Sequence, residues 1–363
     1  MAELRWVDTS SGVRRLAAEL ADARWLAVDT EFANEKTYYP RLCLIQVGWT
    51  SGVACVDPLA RGIDLEPLLD LLRAGGIRKI LHAAVNDLAV LHPLLGGVCA
   101  PVFDTQLAAA FVGHGPSVGY GPLLEHVTGI QLDKGWARTD WSARPLPQAA
   151  LRYAADDVRH LAGLVEHLES ELSKSGRTPW FEEDSAALVA TASEPDQDPS
   201  HAWRRVRGWQ RIDPSALPLL RELAAWRERA ARAANRPRRR VLDDELLLQI
   251  ARFRPGSLPE LERLRGFRAD WHGAEVGPLL AIASAGPYPE LSTFDLPPDR
   301  DERAVLDGMR AAVSKIAASE GLPDALLATS EELLRVRRGA TDERPLRGWR
   351  EALLGPALRA FRP

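Results

Sequence analysis

The chain has 363 residues, 46% hydrophobic and 26% charged, with a formal net charge of −4. That balance excludes a disordered or collagen-like polymer and a uniformly basic coat, and the length leaves room for two or three domains. No run approaches the roughly 18 consecutive apolar residues of a membrane span, and no secretory pattern opens the chain, so a cytoplasmic protein without membrane partners is expected. Cys43, Cys55 and Cys99 are odd in number and lack C-x-x-C spacing, which favours buried thiols over disulfides or a zinc site.

In chain order, "WLAVDTE", "LCLIQVGW", "VACVDP" and "KILHA" read as strands, with a tight turn at Thr50, Ser51 and Gly52. Helical periodicity marks "LEPLLDLLRAG", "DLAVLHPLLGG", "TQLAAAFVG" and one long helix, "PQAALRYAADDVRHLAGLVEHLESEL". Neighbouring strands joined by a short turn, then strands interleaved with helices, predict an α/β domain with a mixed sheet over residues 1–175. The Pro-, Ser- and acid-rich stretch 176–202 reads as a linker. Beyond it, 203–285 and 300–363 read as all-α helical blocks, separated by a Pro-rich break at 286–299.

The first strand carries a chemical oddity. Asp29 and Glu31 alternate with Thr30, so in a strand both carboxylates leave the same face. Two like charges held together in apolar surroundings are unfavourable unless a cation lies between them or one is protonated. Hard divalent ions take oxygen ligands, and a two-metal site needs several carboxylates converging from different elements. Asp87 follows a strand-like run in the first turn of a helix. On the long helix Tyr153 and Asp157 are i and i+4 and share a face, whereas Asp156 is turned about 100° away and suits a solvated pair with Arg152 or Arg159.

Taken together, "DTEF", "HAAVND", "FDTQ" with "TDW", and "YAADD" resemble the motifs of the DEDD exonuclease superfamily, in its tyrosine-containing subgroup, and most nearly the ribonuclease D family. The later stretch "LRELAAWRERAARAANRPRRRVLDDELLLQIARFRPGSLPELERLRGF" resembles the helical HRDC domain, and 300–363 is similar to a second, divergent copy. The resemblance implies an RNase H-like exonuclease fold followed by all-α HRDC-like domains. It further implies a 3′→5′ exoribonuclease with two divalent ions, magnesium or manganese, held by Asp29, Glu31, Asp87 and Asp157, and a Tyr153 that positions the attacking water. The implied partner is RNA with a free 3′ end, precursor tRNA in particular, and a monomer is expected. A DNA exonuclease using the same site and a silent RNA-binding module are the alternatives, although all five motif positions are filled.

Around that set, Asp104 reads as a helix N-cap and His82 as a hydrogen-bonded structural residue. Phe32 suits either base stacking or the core. Arg138 and Trp141, in a loop rich in Trp and Arg, are candidates for holding single-stranded RNA, against a loop packed on the sheet. Arg238 and Arg239, in "NRPRRR", are candidate phosphate contacts, against an ordinary solvated face, and Trp226 reads as core.

Overall fold

The structure, a computed structural model, describes residues 3–362 except 134, 137, 138 and 193–197. Six strands, β1 (Glu3–Val7), β2 (Trp25–Ala33), β3 (Arg41–Trp49), β4 (Gly52–Val56), β5 (Arg78–Leu81) and β6 (Val102–Asp104), form one sheet in the order β1-β4-β3-β2-β5-β6. β2, β3 and β4 run antiparallel, and the other pairings are parallel, so the sheet is mixed as expected. Asp29 lies opposite Gln46, and Gln46 opposite Cys55, so these three side chains share a face. β5 pairs with β2 only from Trp25 to Ala27, which leaves the β5-facing edge of β2 open beyond that point.

Helices α1 (Ser10–Leu20), α2 (Glu66–Arg73) and α3 (Val85–Leu95) cover one face, burying Leu16, Leu68 and Leu91 with Val28, Ile45 and Val47 of the sheet. α4 (Thr105–Phe111), α5 (Tyr120–Thr128), α6 (Gln148–Arg159) and α7 (Leu161–Lys174) supply the apolar side chains of the other. The expected long helix is therefore two. The Tyr120 hydroxyl donates to the Asp156 carbonyl at 3.0 Å, which is the acceptor His160 would use in a continuous helix, and His160 leaves helical geometry with φ −107° and ψ −1°. α6 lies close to the sheet because Gly48 has no side chain: a Cβ there would sit 3.1 Å from the Val158 carbonyl oxygen.

The stretch read as a linker contains α8 (Thr178–Ala192), which buries only Phe181, Ser185 and Val189 at helical spacing. α8 also receives the chain's last helices. Trp349 stacks on Trp180 at 4.7 Å between centroids, and the buried Arg350 forms an ion pair with Asp184 at 2.5 Å. Residues Val305–Pro363 accordingly belong with Met1–Ala33 and Arg41–Glu194 in one compact unit, where the sequence led us to expect a final block standing alone.

A second unit comprises Asn34–Pro40 and Pro195–Ala304. Its core is all helical among the described residues, with Trp203, Leu220 and Leu247 at the centre and Trp226 packed against it. The Asn235 side-chain oxygen accepts the backbone N–H groups of Tyr38 and Tyr39, each at 3.1 Å.

Candidate active site

β2 presents Asp29 and Glu31 on the face covered by α6, and α6 presents Asp157 to them. Carboxylate oxygens of these three residues lie within 4.8 Å of one another, and each residue is only partly exposed. Among the described residues this is the one cluster of three or more acidic, His or Cys side chains with such spacing. The donor set is all hard oxygen, which suits magnesium or manganese and not a soft metal.

Asp87 reaches the same neighbourhood from the first turn of α3, at the open edge of β2. One of its oxygens accepts the Thr30 backbone N–H at 3.1 Å and the Thr30 hydroxyl at 2.5 Å. Thr30 thereby fixes Asp87 while its own side chain points away from Asp29 and Glu31, and the carboxylate keeps its second oxygen for other partners. The sequence reading missed that role, though the threonine stood in plain view inside the motif.

The electrostatics match a site built for cations. Loss of hydration raises Asp29 well above the usual carboxylate range, and the charges of Asp87, Asp157 and Glu31 raise it further. Glu31 is pushed up to about 8 by burial, then by Asp157 and Asp87. Asp157 rises to about 7 through burial and the neighbouring Asp156 and Asp87. Asp87 rises less, to about 6, because burial is opposed by the Thr30 hydrogen bonds. The Tyr153 phenol is raised by burial and then by Asp157, Glu31 and Asp29, so it stays protonated at neutral pH.

The neighbouring residues play structural parts. Asp104 caps α4 by accepting from Gln106 and Leu107, and it also accepts the N–H groups of Ala83 and Ala84 at 3.0 and 2.9 Å. Ala83 has φ +58°, so the same carboxylate holds the strained turn that launches α3 and Asp87. His82 bonds Thr105 and the Val118 carbonyl through its two ring nitrogens. Asp156, turned away from Asp157 along the helix, pairs with Arg159 at 2.9 Å.

Among the candidates for RNA contact, Trp141 is corrected: it is 5% exposed, packs with Leu146 and Leu151, and stacks on Tyr153 at 6.4 Å between centroids. No face is left for a base. Arg144 locks this loop by a two-point ion pair to the buried Asp57, at 2.5 and 2.7 Å, and by donating to the Cys43 carbonyl. Phe32 packs against the core on the sheet face opposite Asp29. Arg138 lies outside the described residues. Arg238 spends its charge inside the helical unit on Glu228, at 2.5 Å, which the run of arginines did not disclose. Arg239 is exposed, with no ion pair among the described residues.

Comparison with known proteins identifies the family. Residues 4–173 match the model for 3′–5′ exonucleases, and 216–272 match the HRDC domain model. Over 346 residues the chain is 34% identical to ribonuclease D of Bartonella henselae, covering 93% of this chain and 85% of that one. The chain belongs to the ribonuclease D family. Ribonuclease D of Pseudomonas paraeruginosa is 37% identical over 371 residues, covering 98% and 96% of the two chains. The crystal structure of ribonuclease D from Escherichia coli, described as an exoribonuclease involved in structured RNA processing, superposes with a TM-score of 0.86 at 31% identity, covering 99% and 98%. The chain is thus a 3′→5′ exoribonuclease, a phosphodiester hydrolase that depends on divalent metal, with an exonuclease fold followed by a helical region that contains an HRDC domain. Among the described residues, no helix is long and apolar enough to cross a membrane.

Proposed function

We infer that this enzyme trims structured RNA from the 3′ end, with precursor tRNA as its typical substrate, acting as a cytoplasmic monomer with two magnesium or manganese ions. The observation that carries the reading is the group of oxygens from Asp29, Glu31 and Asp157 within 4.8 Å, surrounded by anions and raised in pKa. Asp29, Glu31, Asp87 and Asp157 are the proposed ligands. When bound, the ions lower the pKa of the attacking water and neutralise charge on the leaving 3′ oxygen. Tyr153 is too weak an acid and too poorly basic to take the water's proton near neutral pH. Its hydroxyl instead orients the water, with Trp141 supporting the ring from behind. Thr30 and Asp104 hold Asp87 and its helix in register.

The test is hydrolysis of a 5′-labelled RNA with a structured body and a single-stranded 3′ tail, in magnesium or manganese, with and without a chelator. A ladder shortening from the 3′ end, abolished by the chelator, is expected. A matched DNA is expected to react more slowly, because only RNA carries the 2′-hydroxyl. Equal rates on RNA and DNA, or trimming that persists in chelator, would overturn the reading.

A further inference from the structure

Gln46 sits mid-strand in β3 with no exposed surface, and neither its amide oxygen nor its amide nitrogen has a hydrogen-bond partner among the described residues. A buried side-chain amide left unpaired is unfavourable, and β3 uses Leu44, Ile45 and Val47 at the adjoining positions. An apolar residue of similar size would serve packing better, so the amide calls for another reason.

The register supplies one. Gln46 is directly opposite Asp29 on β2 and Cys55 on β4, and all three point under α6. Side chains so paired have Cβ atoms about 4.5–5.5 Å apart, which brings a glutamine amide to an aspartate carboxylate by a rotamer change alone. Gly48 admits α6 closely enough to shut solvent away from this spot. An ionised Asp29 that ligates metal has lone pairs left over, and metal-binding carboxylates are ordinarily steadied by donors behind them. An arginine or lysine there would cancel the anions that attract the cation. A neutral amide orients the carboxylate and leaves its charge intact.

We propose that Gln46 is a positioning residue for Asp29, its amide N–H donating to the ionised carboxylate in the metal-loaded enzyme while its carbonyl oxygen accepts the thiol proton of Cys55. The Cys55 thiol remains a donor at working pH, since burial pushes it up to about 12. The inference rests on the metal-dependent reading above and extends it to a side chain outside the acidic set.

The experiment compares wild type, Gln46→Leu and Gln46→Met. Manganese binding is measured by calorimetry without substrate, thermal melting in chelator, and kcat and KM on a short RNA. Melting in chelator is expected to equal or exceed wild type, because an unpaired amide has been removed. Manganese affinity is expected to fall by about ten- to a hundredfold and kcat with it, while KM for RNA stays within about threefold. Affinity and kcat within about twofold of wild type in either variant would overturn the proposal. So would failure of both variants to fold, because Gln46 would then be supporting the sheet and not Asp29. A wild-type protein that binds no manganese and trims no RNA would sink the functional reading itself, a result distinct from active wild type with unaffected variants.

Discussion

Two of the places where this chain buries carboxylates treat them in opposite ways. In the helical unit Glu228 is 1% exposed and meets Arg238, Arg205 and Arg232 at 2.5, 3.2 and 3.4 Å, with the Tyr38 hydroxyl also donating to it. Loss of hydration alone would raise its pKa, but the hydrogen bonds from Arg238 and Tyr38 and the charges of Arg238 and Arg205 bring it down to about 2. Beside the sheet, Asp29, Glu31 and Asp157 crowd together with Asp87 close by; burial raises all four, and the charge of Asp87 raises the other three further. The chain has the means to neutralise buried acids, as Arg144 also does for Asp57, yet among the described residues these four acids have no such ion pair. Acids kept uncompensated are the mark of a site that waits for a cation.

That contrast can be broken most forcefully at Asp157. Asp157→Asn is expected to lower RNA hydrolysis by on the order of a thousandfold while raising the melting temperature in chelator, since it removes repulsion at a strained site. A lower melting temperature would mean the cluster is compensated after all. Glu228→Ala should do the reverse, destabilising the protein by about 3 kcal/mol in urea titration by leaving arginines unpaired, with manganese affinity unchanged. The partial exposure of Arg238 and Arg205 keeps the effect near the low end for buried pairs.

Tyr153→Phe separates chemistry from binding: turnover should fall by about a hundredfold with manganese affinity within about twofold of wild type. Gly48→Ala forces a methyl against the Val158 carbonyl and should cost about 1–3 kcal/mol of stability, with some loss of activity as Asp157 moves with α6.

The mildest test is pH, and the two clusters predict opposite slopes. Without metal, the folded pKa values of Glu31, Asp157 and Asp87, about 8, 7 and 6, lie above those of the unfolded chain. Their contribution is fully present below about pH 4 and is lost as pH rises through 8. Glu228 lies below its unfolded value, so its contribution is present above about pH 4.5 and is lost as pH falls through 2. Urea midpoints in chelator should therefore decline from pH 5 to 9 and rise from pH 2 to 4.5. Saturating manganese should flatten the alkaline decline.

Much of the site could be read from the chain because its logic is local. Alternation placed Asp29 and Glu31 together, and helical spacing separated Asp157 from Asp156. What escaped depends on partners distant in sequence. Glu228 neutralises Arg238 from a different helix, and Trp141 is buried by β3 and α6. α8 was hidden because three buried residues in a polar, proline-started stretch give only a faint stripe. β1 reads poorly for a related reason: it is a five-residue edge strand with Trp6 partly exposed. An amphipathic pattern tells that a helix packs, not against what, so the allegiance of Val305–Pro363 became visible only through Trp349 and Arg350.

The division of the chain has a consequence for biosynthesis. The polypeptide passes from one unit to the other four times, after residues 33, 40, 194 and 304. On a ribosome, where domains ordinarily fold in order of emergence, the catalytic half must wait for its own carboxy-terminal helices until the intervening module has left the exit tunnel. Nascent chains stalled near residue 300 should thus carry every acidic residue of the candidate site yet lack the packing that completes their scaffold.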